Sequence, residues 1–197
     1  MKHAPFAAGL ILGLALGLPP LACAADTPAK FRDVSDTSFA TPDGQNDLQQ
    51  SVVIDAPVAV LWKSFVDPKE FARWNAPVAA IDMRVGGSLE ATYNPKHVIG
   101  DPNNIKHRVI TFLPERLIVF QNIQAPKELP NADKFQRTVI IVQFEPLGPE
   151  KTKVTLSCTG FGADPASQQI YRFFQEDNAE ELERWKHVYE GAEVSAR

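Results

Sequence analysis

What this chain has little of narrows it first. Its 197 residues hold two cysteines, Cys23 and Cys158, and Cys23 falls in a segment expected to be removed. No intrachain disulfide is then available, so the hydrophobic core alone must hold the fold. Acids and bases are mixed along the chain, the net charge is −4, and no basic run or stripe offers a footprint for nucleic acid. His97, His107 and His187 are scattered, and HxxxH, HExxH and CxxC spacings are absent. No metal or cofactor is therefore expected. GxSxG, P-loop and Rossmann glycine patterns are missing as well, and with them the commonest nucleophile and nucleotide sites.

The beginning of the chain has to be set aside before the fold is read. Lys2 and His3 form a short polar start, and Phe6 to Leu18 is an apolar run broken only by glycines. That run is shorter than the about 20 residues a membrane helix needs. Pro19 and Pro20 end it, and Ala22-Cys23-Ala24 places small residues where a signal peptidase reads. Residues 1–24 are therefore expected to be a signal peptide cleaved after Ala24, and the protein to be periplasmic or secreted. Lipid attachment at Cys23 is the second reading, since Leu21-Ala22 precedes it but Pro20 stands where a lipobox has leucine. The mature chain would carry 19 basic and 24 acidic side chains, a net charge of −5, with no integral membrane span.

Residues 25–47 lack periodicity and read as an irregular leader; the domain is expected over 48–197. Leu48 to Ile54 is a β-branched-rich first strand. Asp55 is expected to cap a helix with Pro57 in its first turn, and Val58, Leu61, Trp62 and Phe65 share one helical face. Asp67-Pro68 starts a short second helix, with Glu70 placed for a capping box and Phe71 and Trp74 continuing the apolar face. Val78 to Val85 and Ser88 to Tyr93 flank Gly86-Gly87 as a hairpin. Residues 94–104 form a loop. Strands follow over Ile105 to Leu113, Leu117 to Gln124, Phe135 to Glu145 and Lys151 to Thr159, with Gly160-Phe161-Gly162 breaking the last. Asp164-Pro165 opens a helix of about 28 residues, about 40 Å long at 1.5 Å per residue. Three hairpins imply an antiparallel sheet with the helices covering one face, an α+β domain of about seven strands.

Several of these segments resemble one family. They are Ala56-Pro57 with Val60, Leu61 and Trp62; Asp67-Pro68 with Phe71 and Trp74; and Asp82 to Gly87. Further on come Phe112 to Leu117, Val142 to Gly148, Lys153 to Leu156, Gly160-Phe161 and Trp185. In this order they are similar to the START-like helix-grip superfamily, also called SRPBCC, in the branch of the heat-shock ATPase activator homologues. The resemblance spans roughly 48–190. It implies a curved antiparallel sheet gripping a long C-terminal helix, with a cavity that in other members takes lipids, polyketides or hormones, some of which are chemically transformed. An export signal would keep this chain away from a cytosolic heat-shock ATPase.

A bent sheet under one helix leaves space for side chains or for a ligand. The residues expected around that space are Trp62, Phe65 and Trp74 from the first helices, and Phe144, with Val142, Val154 and Leu156, from the last hairpin. Phe174 and Trp185, with Leu182, come from the final helix. Phe112 and Phe120 join them, although both faces of their strands are apolar. Asn178 sits four residues after Phe174, on the inward helical face. A polar side chain there needs a partner or loses about 1–3 kcal/mol, and a ligand head group or a backbone carbonyl can supply it. Cys158 reads as an inert buried thiol. Glu90, Arg84, Arg108 and Arg137 read as the solvated face of strands, and the acidic stretch Glu176 to Glu183 as the outer face of the helix. The leading reading is an exported binder of a small lipid-like or aromatic molecule, acting as monomer or homodimer, with no catalytic constellation assembled in the sequence. A cyclase- or aromatase-like enzyme and a protein-interaction module are the alternatives.

Overall fold

Short polar-apolar alternations build one antiparallel sheet, the largest element of the fold. The computed structural model describes residues 31–190; the expected signal segment with Cys23, the start of the expected leader and the expected last turn of the long helix lie outside that range. The strands are β1 (Ser35–Asp36), β2 (Phe39–Ala40), β3 (Asn46–Ile54), β4 (Val78–Ile81), β5 (Ser88–Thr92), β6 (Ile105–Leu113), β7 (Leu117–Gln124), β8 (Val139–Gly148) and β9 (Lys151–Phe161). They pair in the order β1-β3-β9-β8-β7-β6-β5-β4, with β2 also on β3, and every pairing is antiparallel. Two of the nine strands lie in the stretch expected to be irregular: β1 and β2 pair with β3, and Phe31 and Val34 beside them are buried.

Period two sets the face that each side chain takes. Cys158 stands beside Ile140, and Ile140 beside Phe120; Leu156 stands beside Val142, and Val142 beside Ile118. Those rows, buried except for the half-buried Ile140, form the concave face. Two glycines shape its edges. A Cβ on Gly87 would stand 2.2 Å from Asp82 O, inside the β4–β5 hairpin. Gly160 has φ +95°, and a Cβ there would stand 2.7 Å from Arg137 O. The glycine that was expected to end β9 thus lets the strand continue to Phe161. Strand β8 starts later than expected, because Phe135 closes a one-turn helix, α3 (Ala132–Phe135), whose ring is turned into the core.

Helices α1 (Val58–Val66) and α2 (Pro68–Phe71) cross one end of the sheet. Pro57, not Asp55, holds the N-cap position of α1; the Asp55 carboxylate pairs with Lys151 at 3.0 Å instead. Asp67 caps α2 as expected, accepting from the N–H groups of Lys69 (2.9 Å) and Glu70 (3.4 Å). Glu70 makes no capping box, because its carboxylate is taken by Arg73 (2.7 Å) and Tyr189 (2.9 Å).

The long helix α4 (Pro165–Glu190) has 26 residues, roughly 39 Å at 1.5 Å per residue. Asp164 caps it by accepting from Ser167 N at 3.1 Å and Ser167 Oγ at 2.6 Å. Gln50 Nε2 donates to Gln175 O (2.9 Å) and Lys186 Nζ to Val53 O (2.8 Å), which fixes the helix along β3. Near its end Trp185 stacks on Trp74, with ring centres 4.1 Å apart and planes 7° from parallel. The Trp185 indole N–H donates to Ser64 Oγ (2.8 Å) and that of Trp74 to Ser64 O (3.0 Å). This joins α1, α2 and α4 into one aromatic block. No helix of the described residues is long and apolar enough to cross a membrane.

Candidate functional site

The aromatic block fills one half of the space between sheet and helix. The other half holds a cavity of about 420 Å³, within the roughly 300–1,000 Å³ of small-molecule sites. Strands β5, β6 and β7 supply Leu89, Ala91, Ile105 and Phe120 to its walls, and α4 closes it with Phe173, Phe174 and Asn178. The ring of Phe135 stacks on Phe174 at 5.4 Å, so α3 finishes the wall near the start of α4.

Five of the nine residues expected around the cavity line it: Phe65, Trp74, Phe120, Phe174 and Asn178. The other four stand outside its wall. Trp62 packs on Phe144 at 5.6 Å and on Phe112 at 6.4 Å, and Trp185 lies 6.0 Å from Phe144. These rings form the solid packing between α1, α4 and β8. Alternation places them inward correctly, but inward at the filled end means core.

Asn178 is 4% exposed. Its Nδ2 lies 3.5 Å from Cys158 Sγ, and its Oδ1 has no hydrogen-bond partner among the described residues. Burial pushes the Cys158 thiol up to about 12, which keeps it protonated and unreactive.

Three further groups on the cavity wall were not singled out from sequence. His107 lies across β6–β7 from Asn122 and beside the rings of Phe120 and Phe135. Burial lowers its pKa to about 4, against a smaller opposing influence from Asn122, so the imidazole is neutral at pH 7. Among the described residues neither the buried His107 Nδ1 nor Asn122 Oδ1 makes a hydrogen bond of good geometry. Asp177 and Glu181 line the cavity too, one helical turn apart, rather than the outer face of α4. The Tyr93 hydroxyl donates to Glu181 and lies 3.2 Å from Asn75 Oδ1. Burial, then repulsion by Asp177, raises the Glu181 carboxyl to about 7. Burial and the charge of Glu180 raise Asp177 as well. Arg184 is the cation beside them, but it is bound to Glu180 (2.9 Å) and to Trp74 O (3.4 Å). The half-exposed rings of Tyr93 and Phe173 place this acidic group at the mouth.

Glu90 corrects the expectation of a solvated strand face. It is 4% exposed, pairs with Lys106 at 3.2 Å and accepts from Asn104 Nδ2 at 2.8 Å and from the Gly100 N–H. Burial pushes its pKa up, but these hydrogen bonds and Lys106 together outweigh it and the carboxyl titrates low. It fastens the 94–104 loop to β5 and does not line the cavity. Arg84 lies in the β4–β5 connection, paired with Asp82 in solvent, and Arg137 precedes β8. No three His, Cys, Asp or Glu side chains among the described residues form a metal cluster.

With this architecture the comparisons agree. The family model described as Activator of Hsp90 ATPase homolog 1-like protein matches residues 55–190. The chain belongs to that family. Among solved structures, this family member is similar to the Aha1 dimer from Colwellia psychrerythraea, with 14% identity, TM-score 0.58, and 73% of this chain and 96% of that one covered. It is also similar to CalU16 from Micromonospora echinospora, with 16% identity, TM-score 0.56 and coverage of 80% and 83%. Protein Ms6760 from Mycobacterium smegmatis has 17% identity, TM-score 0.57 and coverage of 83% and 99%. At these identities the likeness establishes the shared fold. No curated protein matches the chain in sequence.

Proposed function

We propose that this family member is an exported protein that binds a small hydrophobic molecule between its sheet and α4. The observation that carries the reading is the unfilled, largely apolar cavity of about 420 Å³ beside a fully packed aromatic block. Protein interiors close voids wherever side chains can, because an empty cavity costs stability in proportion to its volume. Asn178 supports the same reading, since it lines the cavity with an amide whose Oδ1 accepts no hydrogen bond among the described residues, leaving it open to a ligand donor. The export component rests on residues 1–24. Native mass spectrometry of the mature protein, purified from its own host, tests the reading. A defined adduct that disappears in Ala91→Trp, which fills the cavity, is expected; a clean apo mass and no thermal shift with lipids or aromatic compounds contradicts it.

One observation favours a second reading, chemistry on the bound molecule. Glu181, titrating near neutrality, and the neutral His107 face the same cavity, as an acid–base pair requires. Under this reading the molecule recovered from Glu181→Gln differs covalently from that recovered from the wild type; the same compound from both rules it out.

A further inference from the structure

The polar groups on the cavity wall are unequal in what they leave unmet. Its hydrogen-bond donors have partners: Asn178 Nδ2 on Cys158, the Tyr93 hydroxyl on Glu181, and the Arg184 guanidinium on Glu180 and Trp74 O. Its acceptors are less fully met. The Asp177 carboxylate has no hydrogen-bond or ion-pair partner among the described residues, and Asn178 Oδ1, on a side chain 4% exposed, has none either. Glu181 accepts from Tyr93 and from Asn75 but has no ion pair among the described residues. Asp177, Asn178 and Glu181 fall at i, i+1 and i+4 of α4 and all line the cavity.

The charges point the same way. Two carboxylates face the cavity against one cation, Arg184, which is ion-paired to Glu180 and whose charge lowers both carboxyls, though burial and like charge outweigh it. His107 is neutral at pH 7 and adds no positive charge. A bound carboxylate would meet two like charges and a single, already paired cation, whereas an ammonium would meet two carboxylates and an amide oxygen. The surrounding rings of Tyr93, Phe173 and Phe174 suit a cation as well, because aromatic faces attract positive charge.

We propose that the ligand is a hydrophobic amine, its ammonium held at the mouth by Asp177 and Glu181 with Asn178 Oδ1 as a further acceptor, and its apolar body against Phe174, Phe135 and Phe120. This rests on the cavity-binding reading above and adds the chemical class of its ligand. The ammonium keeps its proton throughout and binds by ion pairing and hydrogen bonds alone. Burial first and like charge second raise the Glu181 and Asp177 carboxyls, and a bound ammonium would lower both.

The test uses three probes that share one body: 4-phenylbutan-1-amine, 4-phenylbutan-1-ol and 4-phenylbutanoate, titrated calorimetrically into the mature chain at pH 8. The amine is expected to bind at least about tenfold more tightly than the alcohol, and the carboxylate most weakly. In the double variant D177N/E181Q, its folding checked by thermal denaturation, the amine's advantage over the alcohol is expected to vanish while alcohol binding stays within about twofold. At pH 6 the wild type's amine affinity is expected to fall, as Glu181 takes up a proton. Alcohol or carboxylate binding as tight as the amine's overturns the proposal and leaves the cavity reading standing. So does an amine advantage that survives in D177N/E181Q. Failure of all three probes to bind overturns both.

Discussion

Replacing Glu181 with glutamine should change how stability depends on pH, and the structure gives both sign and size. Buried beside Asp177 and hydrogen-bonded by Tyr93, the Glu181 carboxyl is raised from an ordinary 4.5 to about 7. Between these values the native state holds a proton that the unfolded chain has released. Stability therefore falls as pH climbs through that window and levels off above it. At 1.36 kcal/mol per pH unit the ceiling is about 3 kcal/mol; partial exposure at the mouth reduces it to about 1–2 kcal/mol. His107 acts oppositely in an overlapping range: its pKa is lowered to about 4, so stability rises as pH climbs toward the unfolded value of 6.5. The wild-type curve alone would therefore hide Glu181, and the useful quantity is the difference between two proteins that share His107. Glu181→Gln keeps an acceptor for Tyr93 and removes the charge. Urea unfolding at pH 5, 6, 7 and 8 should show the variant gaining on the wild type by about 1–2 kcal/mol between pH 5 and pH 8. A flat difference, or a variant that loses ground as pH rises, would show that the carboxyl is not held in its raised state.

Other consequences follow from packing. Ser64→Ala strands the buried Trp185 indole N–H, and denaturant unfolding should show a loss of about 1–2 kcal/mol after the better helix propensity of alanine is counted. Asp67→Ala removes the cap of α2 and should cost about 1 kcal/mol by the same assay, without altering ligand affinity. Gly160→Ala places a methyl 2.7 Å from Arg137 O at φ +95°, and its melting temperature should fall by several degrees; an unchanged value would show that the β8–β9 edge yields freely. Cys158 should resist thiol reagents in the native protein and react at once in denaturant, since burial holds its pKa at about 12.

The parts that local physics dictates were legible in the sequence. Strands β6 and β7 have the limits that period two and the Pro114–Arg116 turn predict, and α4 begins at the Asp164-Pro165 cap. Where long-range packing decides, the sequence misleads. Phe135 looks like the first residue of a strand and closes a helical turn, because its ring has Phe174 to stack on. Asp177, Glu181 and Arg184 look like the wet side of α4, since charges at helical spacing normally are. They stand one position before Asn178, Leu182 and Trp185, and the cavity is wide enough for that flanking row to face it too. The Tyr93 contact that marks Glu181 joins residues 88 positions apart, which no periodicity reports. Likewise Trp62, Phe112, Phe144 and Trp185 carry the same inward signal as Phe65 and Phe120. Only the three-dimensional arrangement separates filled core from open wall.

Occupation of the cavity is most directly measured by backbone amide chemical shifts of the isotope-labelled protein, residues 25–197, during titration with 4-phenylbutan-1-amine. The account predicts saturable shifts centred on Ala91, Phe120, Ile140 and Asn178, abolished in Ala91→Trp. Shifts confined to exposed apolar residues such as Val85 and Leu113, or none at millimolar probe, would contradict it.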